Sequence, residues 1–141
     1  MENHNIRFTT ERFDYSSDLP EHYNAGNRFY GRDLAEFLAT GLAAHQFPGR
    51  FFDEDWGWAV ECQAVDGKCL EIGIYNLAYG GEDPDRANQW GLWLRMYETG
   101  KWLGFIPRRR EIEVTPEALA AVHALLDSNG IRPEVWEDAS A

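Results

Sequence analysis

The stretch WGWAVECQAVDGKCLEIGIY, residues 56–75, places large apolar residues at every second position. Trp56, Trp58, Val60 and Cys62 alternate with Gly57, Ala59 and Glu61, and Leu70, Ile72 and Ile74 alternate with Glu71 and Gly73. A period of two marks a strand with one buried face. The turn decides how the two runs pair, because directly opposed residues of an antiparallel pair must share a face. A two-residue Asp66-Gly67 turn would set Val60 against Gly73 and Glu61 against Ile72, mixing the faces. A three-residue loop, Val65-Asp66-Gly67, sets Val60 against Ile72 and Cys62 against Leu70, with glycine at the left-handed bulge position. The stretch reads as a hairpin with its even-numbered residues inward.

The same pattern extends downstream. Leu92, Leu94 and Met96 in QWGLWLRMY (89–97), and Trp102 and Ile106 in KWLGFI (101–106), share the even parity. A Glu98-Thr99-Gly100 turn would pair Met96 with Trp102, Trp93 with Phe105 and Arg95 with Leu103. Four strands are thus expected, at 56–64, 68–75, 89–97 and 101–106, in a mainly antiparallel meander.

Two amphipathic helices flank the strands. In YGRDLAEFLATGLAAHQF (30–47), Leu34, Phe37, Leu38, Gly41, Leu42 and His45 form a stripe, and Pro48-Gly49 ends it. The second has Thr115 as N-cap, Pro116 at the first helical position and Asn129-Gly130 at the far end. Its apolar positions are Leu119, Val122, Leu125 and Leu126. The expected fold is α+β, a two-layer sandwich with both helices on the even face of a four-stranded sheet. One domain accounts for the chain: an N-terminal arm (1–29), a core (30–130) and a C-terminal tail (131–141). Ile6 and Phe8 in the arm suggest a short edge strand.

Composition narrows the chemistry. The chain has 141 residues with 24 acids against 13 bases, net −11. Such a balance repels nucleic-acid phosphates and anionic membranes, and the cluster Arg108-Arg109-Arg110 is followed at once by Glu111 and Glu113. No apolar run has the length of a membrane span, and the first residues lack the apolar core of a signal sequence. With only two cysteines, no disulfide framework is implied, and a cytoplasmic location is expected.

Catalytic constellations are missing. Asp53, Glu54 and Asp55 lie in the polar approach to the first strand, where acids are easily solvated, and the spacing of a calcium loop is absent. Parity turns Cys62 inward and Cys69 to the opposite face, and no zinc spacing or thiol-activating histidine accompanies them. Of the four histidines, His22 in LPEHYN stands beside Glu21 and Tyr23 and is the one candidate for a cleft. Gly80-Gly81 opens GGEDPDRAN, a polar connection without the lysine of a phosphate loop. No catalytic residue, metal ligand or cofactor is assigned.

The odd face of the sheet is the exception to this plainness. It carries Gly57, Ala59, Glu61, Glu71, Gly73, Tyr75, Gly91, Trp93, Arg95, Tyr97, Leu103 and Phe105. A solvated face should read polar, whereas this one has a small-residue floor and an aromatic ridge. Three covers fit: the arm with Phe8, Phe13 and Tyr15, a protein partner or second copy, or a small ligand held with Arg95. The binding candidates are Tyr75, Trp93, Arg95, Tyr97 and Phe105, with Glu61 and Glu71 for charge complementarity.

The run NRFYGRDLAEFLATGL, then FDEDWGWAVEC and EIGIYNLA, resembles small uncharacterised bacterial proteins in which a YGRDLAEFL-like helix leads into a D-W-G-W strand. That resemblance spans roughly residues 24–106 and implies no activity. In class and composition the chain is also similar to immunity proteins that neutralise bacterial toxins. The expected function is non-enzymatic recognition of a protein, a basic one suiting the acidic balance, or self-association. The alternative is a small-molecule site or enzyme between the odd face and the arm, using His22, Arg95 and the acids.

Overall fold

The computed structural model describes residues 4–15, 17–64, 66–78, 86–102 and 106–136. In chain order the elements are β1 (His4–Thr9), a 3-10 turn (Tyr23–Gly26), α1 (Arg32–Ala43), β2 (Gly49–Glu54), β3 (Gly57–Gln63) and β4 (Lys68–Asn76). They continue with β5 (Gln89–Trp102), β6 (Ile106–Ile112), α2 (Pro116–Ser128) and β7 (Glu134–Trp136). The fold is α+β: two helices and an open antiparallel sheet. Among the described residues that sheet has seven strands rather than four, in the order β2-β3-β4-β5-β1-β7, with β6 on the outer half of β5.

The first hairpin has the register its pattern demands, Val60 opposite Ile72 and Cys62 opposite Leu70. Gly67 takes φ +82°, the left-handed conformation of a bulged three-residue loop. The second hairpin differs from expectation. No turn forms at Glu98-Thr99-Gly100: β5 runs straight through to Trp102, and Met96 lies opposite Ile112. Parity cannot separate the two registers, because they differ by an even number of residues and both keep even positions on the core side.

Three further strands join the sheet, two of them not expected and the third, β1, expected only at an edge. The acids before Trp56 belong to a hairpin, in which β2 pairs with β3 and Asp53 faces Trp58. The arm supplies β1, an interior strand between β5 and β7 rather than an edge. It fills the place beside Gln89–Leu94, because β6 pairs only from Met96 outward. The tail returns as β7 against β1.

The helices lie over the even face. Leu34, Leu38 and Leu42 are fully buried, with Ile6, Val60, Cys62, Leu70, Ile72, Ile74, Trp90, Leu92, Leu94 and Leu126. Gly41 is the contact point between the helices: a Cβ there would sit 2.5 Å from Leu125. The α2 termini follow their sequence signals. Thr115 Oγ1 accepts from Ala118 N–H at 3.2 Å, and Ile131 N–H closes back on Leu126 O at 2.9 Å.

Candidate functional site

The odd face of the sheet, opposite the helices, is built from two reciprocal cross-strand pairs. Gly73 of β4 stands opposite Trp93 of β5, and Tyr75 of β4 opposite Gly91 of β5. In each pair the ring lies over the glycine. A Cβ on Gly73 would be 1.8 Å from Trp93 Cε2, and one on Gly91 would be 2.1 Å from Tyr75 Cζ. The small floor and the aromatic ridge of the sequence are therefore one device, with each ring using the space its neighbour's missing side chain leaves.

Around Trp93 the side chains form a continuous stack. Trp56, at the β2–β3 turn, lies 5.4 Å from Trp93 centroid to centroid. The Arg95 guanidinium lies over Trp93 at 4.7 Å and over Tyr97 at 5.8 Å, and Arg109 of β6 lies over Tyr97 at 4.3 Å. Such contacts are attractive because the ring face is electron-rich. Arg95 is fixed by Glu71, directly opposite on β4: Nη2 donates to Glu71 Oε1 at 2.9 Å. That hydrogen bond holds the Arg95 pKa above its ordinary value against the opposing effect of burial. Glu61 lies next along the same row, opposite Glu71, and pairs with Arg50 at 3.7 Å. The two arginines offset the two like charges, so the row is balanced within a chain of net charge −11.

Six of the seven candidates thus share one surface: Tyr75, Trp93, Arg95, Tyr97, Glu61 and Glu71. Phe105, and Leu103 with it, lies outside the described residues. The expected partners of Trp93 and Arg95 thus fall outside the described residues, among which Trp93 is flanked by Gly73 and Asn5 and Arg95 faces Glu71. Trp56 is a correction of another kind. Parity assigned it to the core, yet it is 43% exposed and stacks on the odd face. It occupies the turn between β2 and β3, where strand alternation does not hold, and recognising that turn required recognising β2. Arg50 and Arg109 were missed because their strands, or their registers, were.

Among the described residues the arm's aromatic side chains do not cover this face, and Tyr15 is exposed. Phe8 and Phe13 are buried in the helix-side core, Phe13 packing on Phe37 at 5.5 Å and on Trp90 at 6.1 Å. A ligand site between arm and odd face loses the walls these residues were to provide.

The remaining candidates have structural explanations. Asp53 accepts from Asn24 N–H at 2.8 Å, and the Asn24 side chain donates to the carbonyls of Glu54 and Gly57. The acidic stretch thereby anchors the 3-10 turn. Cys62 and Cys69 are free and buried. Burial, with smaller contributions from Cys69 and Glu61, pushes the Cys62 thiol up to about 12, and burial likewise raises Cys69. Neither supplies a thiolate nucleophile at neutral pH. His22 is exposed and stacks edge-on against Tyr23 at 5.1 Å. A cleft of about 250 Å³ nearby is lined by Asp14, Asp18, Tyr23, Tyr30, Arg32 and Asp33 among others, but not by His22. Among the described residues no group of three acids, histidines or cysteines is placed to hold a metal ion, and no helix is long and apolar enough to cross a membrane. Gly80-Gly81 lies outside the described residues.

No family model, curated protein or solved structure matches the chain.

Proposed function

We propose that the odd sheet face recognises another protein, basic in character, and that the chain acts by binding rather than catalysis, as a cytoplasmic bacterial inhibitor or immunity protein does. One observation carries the reading: the stack Trp56–Trp93–Arg95–Tyr97–Arg109 lies on the side of the sheet away from the helices. Tryptophan, tyrosine and arginine dominate interface hot spots, since they bury large areas while losing little conformational freedom. Here Arg95 is already held by Glu71, so little ordering remains for the moment of binding. The net charge of −11 attracts a basic partner at long range, while the charge-balanced row beside the stack avoids burying an unpaired ion.

The test is capture of partners from a bacterial lysate with wild type and Trp56→Asp, followed by titration of the captured protein in purified form. Trp56 covers no glycine and is partly exposed, so the variant keeps its fold. Loss of a truncated hot spot costs about 2 kcal/mol or more, roughly a thirty-fold rise in Kd. A basic protein whose affinity falls by that factor supports the reading. A partner that binds both proteins equally, or capture of acidic proteins only, overturns it.

A further inference from the structure

We propose that strand β2 is a second interaction element, and that its partner is β2 of another copy of this chain. β2 stands at one end of the sheet, with all six residues of its inner side paired to β3. Pro48 O accepts from Gln63 N–H at 2.9 Å, which sets the phase of the ladder. In an antiparallel pair the hydrogen-bonded positions alternate, so Arg50, Phe52 and Glu54 turn their backbone groups toward β3. Gly49, Phe51 and Asp53 then turn theirs outward, and no hydrogen bond reaches those groups among the described residues. The strand carries neither lysine nor proline and has no bulge, every one of its residues being in the ladder, and its charges are of both signs, Arg50 against Asp53 and Glu54.

Charge complementarity selects the occupant. Two β2 strands related by a two-fold axis pair antiparallel, and both sheets keep their faces only when opposed residues have the same parity. With Phe52 on the axis, Phe52 meets Phe52 of the second copy, and Arg50 falls opposite Glu54 on both sides of the axis. The outward backbone groups of Phe51 then meet those of Asp53. With Phe51 on the axis instead, Arg50 would face Phe52 and Glu54 would have no opposite charge. The first register satisfies both the ladder and the charges. It also puts Phe52 and the Arg50–Glu54 pairs at non-hydrogen-bonded positions, where side chains approach most closely. Arg50 can reach across, since its side chain is 76% exposed and its ion pair with Glu61 is a loose 3.7 Å. The product is a continuous sheet with the helices of both copies on one side. This edge lies beside the Trp93 stack on the same sheet and shares Arg50 with the Glu61 pair of that face, but the pairing does not depend on the binding function proposed for the stack.

Light scattering on a sizing column, across a concentration series, tests the proposal. Wild type is expected to show twice the monomer mass at high concentration. Arg50→Glu alone and Glu54→Arg alone place like charges together and are expected to give monomer, and the double variant to restore the dimer. Phe52→Cys is expected to form an interchain disulfide under mild oxidation, while Phe51→Cys is not. Circular dichroism on each variant separates loss of pairing from loss of fold. A wild type that stays monomeric at every concentration, or a dimer untouched by either charge reversal and not cross-linked through position 52, overturns the proposal.

Discussion

The indole of Trp93 occupies the space above Gly73 so fully that a Cβ on that glycine would sit 1.8 Å from the ring. These residues are directly opposed on β4 and β5, and Tyr75 and Gly91 repeat the arrangement in reverse. The odd face is thereby closed by its own rings at the floor, while Trp56, Arg95 and Tyr97 extend the stack across the sheet.

Gly73→Ala discriminates this geometry from ordinary strand behaviour. A glycine inside a strand is normally worse than alanine by about 0.5–1 kcal/mol, so the general rule anticipates a gain. Here the new methyl meets the rigid body of a ring, and overpacking of that kind costs about 1–3 kcal/mol. The expected outcome is a lower denaturation midpoint with an unchanged slope, largely relieved in Gly73→Ala/Trp93→Ala. A stabilised Gly73→Ala would show that Trp93 does not rest where it is described.

Asn24 is the hinge between arm and sheet. It is fully buried at φ +56°, a left-handed conformation asparagine tolerates better than most residues. Its side chain donates to Glu54 O at 2.9 Å and Gly57 O at 2.6 Å and accepts from Phe29 N–H at 2.8 Å. Asn24→Ala strands these buried groups at about 1–3 kcal/mol apiece at most, so a total loss of about 2–4 kcal/mol is expected in chemical denaturation. Asp53→Asn, which keeps an acceptor for Asn24 N–H, should cost far less.

The cap of α2 gives a smaller effect. Thr115→Ala removes the acceptor for Ala118 N–H and is expected to cost about 1 kcal/mol, whereas Thr115→Ser retains most of it. Thermal unfolding of the three proteins under one condition checks the order wild type, Ser, Ala.

Stability should also fall at high pH through Cys62. Its thiol ordinarily ionises at 9.0, and burial raises it in the fold to about 12. The folded state therefore holds its proton where the unfolded chain has released it. The contribution is complete below pH 9 and is lost as pH rises from about 9 towards 12. Melting temperatures across that window should decline less steeply in Cys62→Ala than in wild type, and native Cys62 should resist thiol reagents at neutral pH. Equal slopes would remove Cys62 as the cause.

Much of the chain's local structure was legible in its residues. The 56–75 hairpin and its bulged loop followed from parity, α2 from its stripe and end signals, and α1 from its stripe, although it ends at Ala43 rather than at Pro48-Gly49. The grouping of Tyr75, Trp93, Arg95, Tyr97, Glu61 and Glu71 on one face followed from the same period of two. What escaped was non-local. Asp53–Asp55 reads as polar approach because a short edge strand buries little, and its partner β3 is what makes Gly49–Glu54 a strand. Ile6 and Phe8 announce a strand but not its place between β5 and β7, which arises because β6 leaves the inner half of β5 unpaired.

By itself, then, the sequence determined which residues of the central strands turn inward, where α2 begins and ends, and that glycines and aromatics alternate on the opposite face. Those are consequences of backbone periodicity and capping, which act over a few residues. Tertiary structure alone decided the order of seven strands, the shift of β6 that sets Met96 against Ile112 rather than Trp102, and the seating of Trp56 on Trp93. Registers that differ by two residues bury the same faces, so only competition among whole strands for neighbours can choose between them.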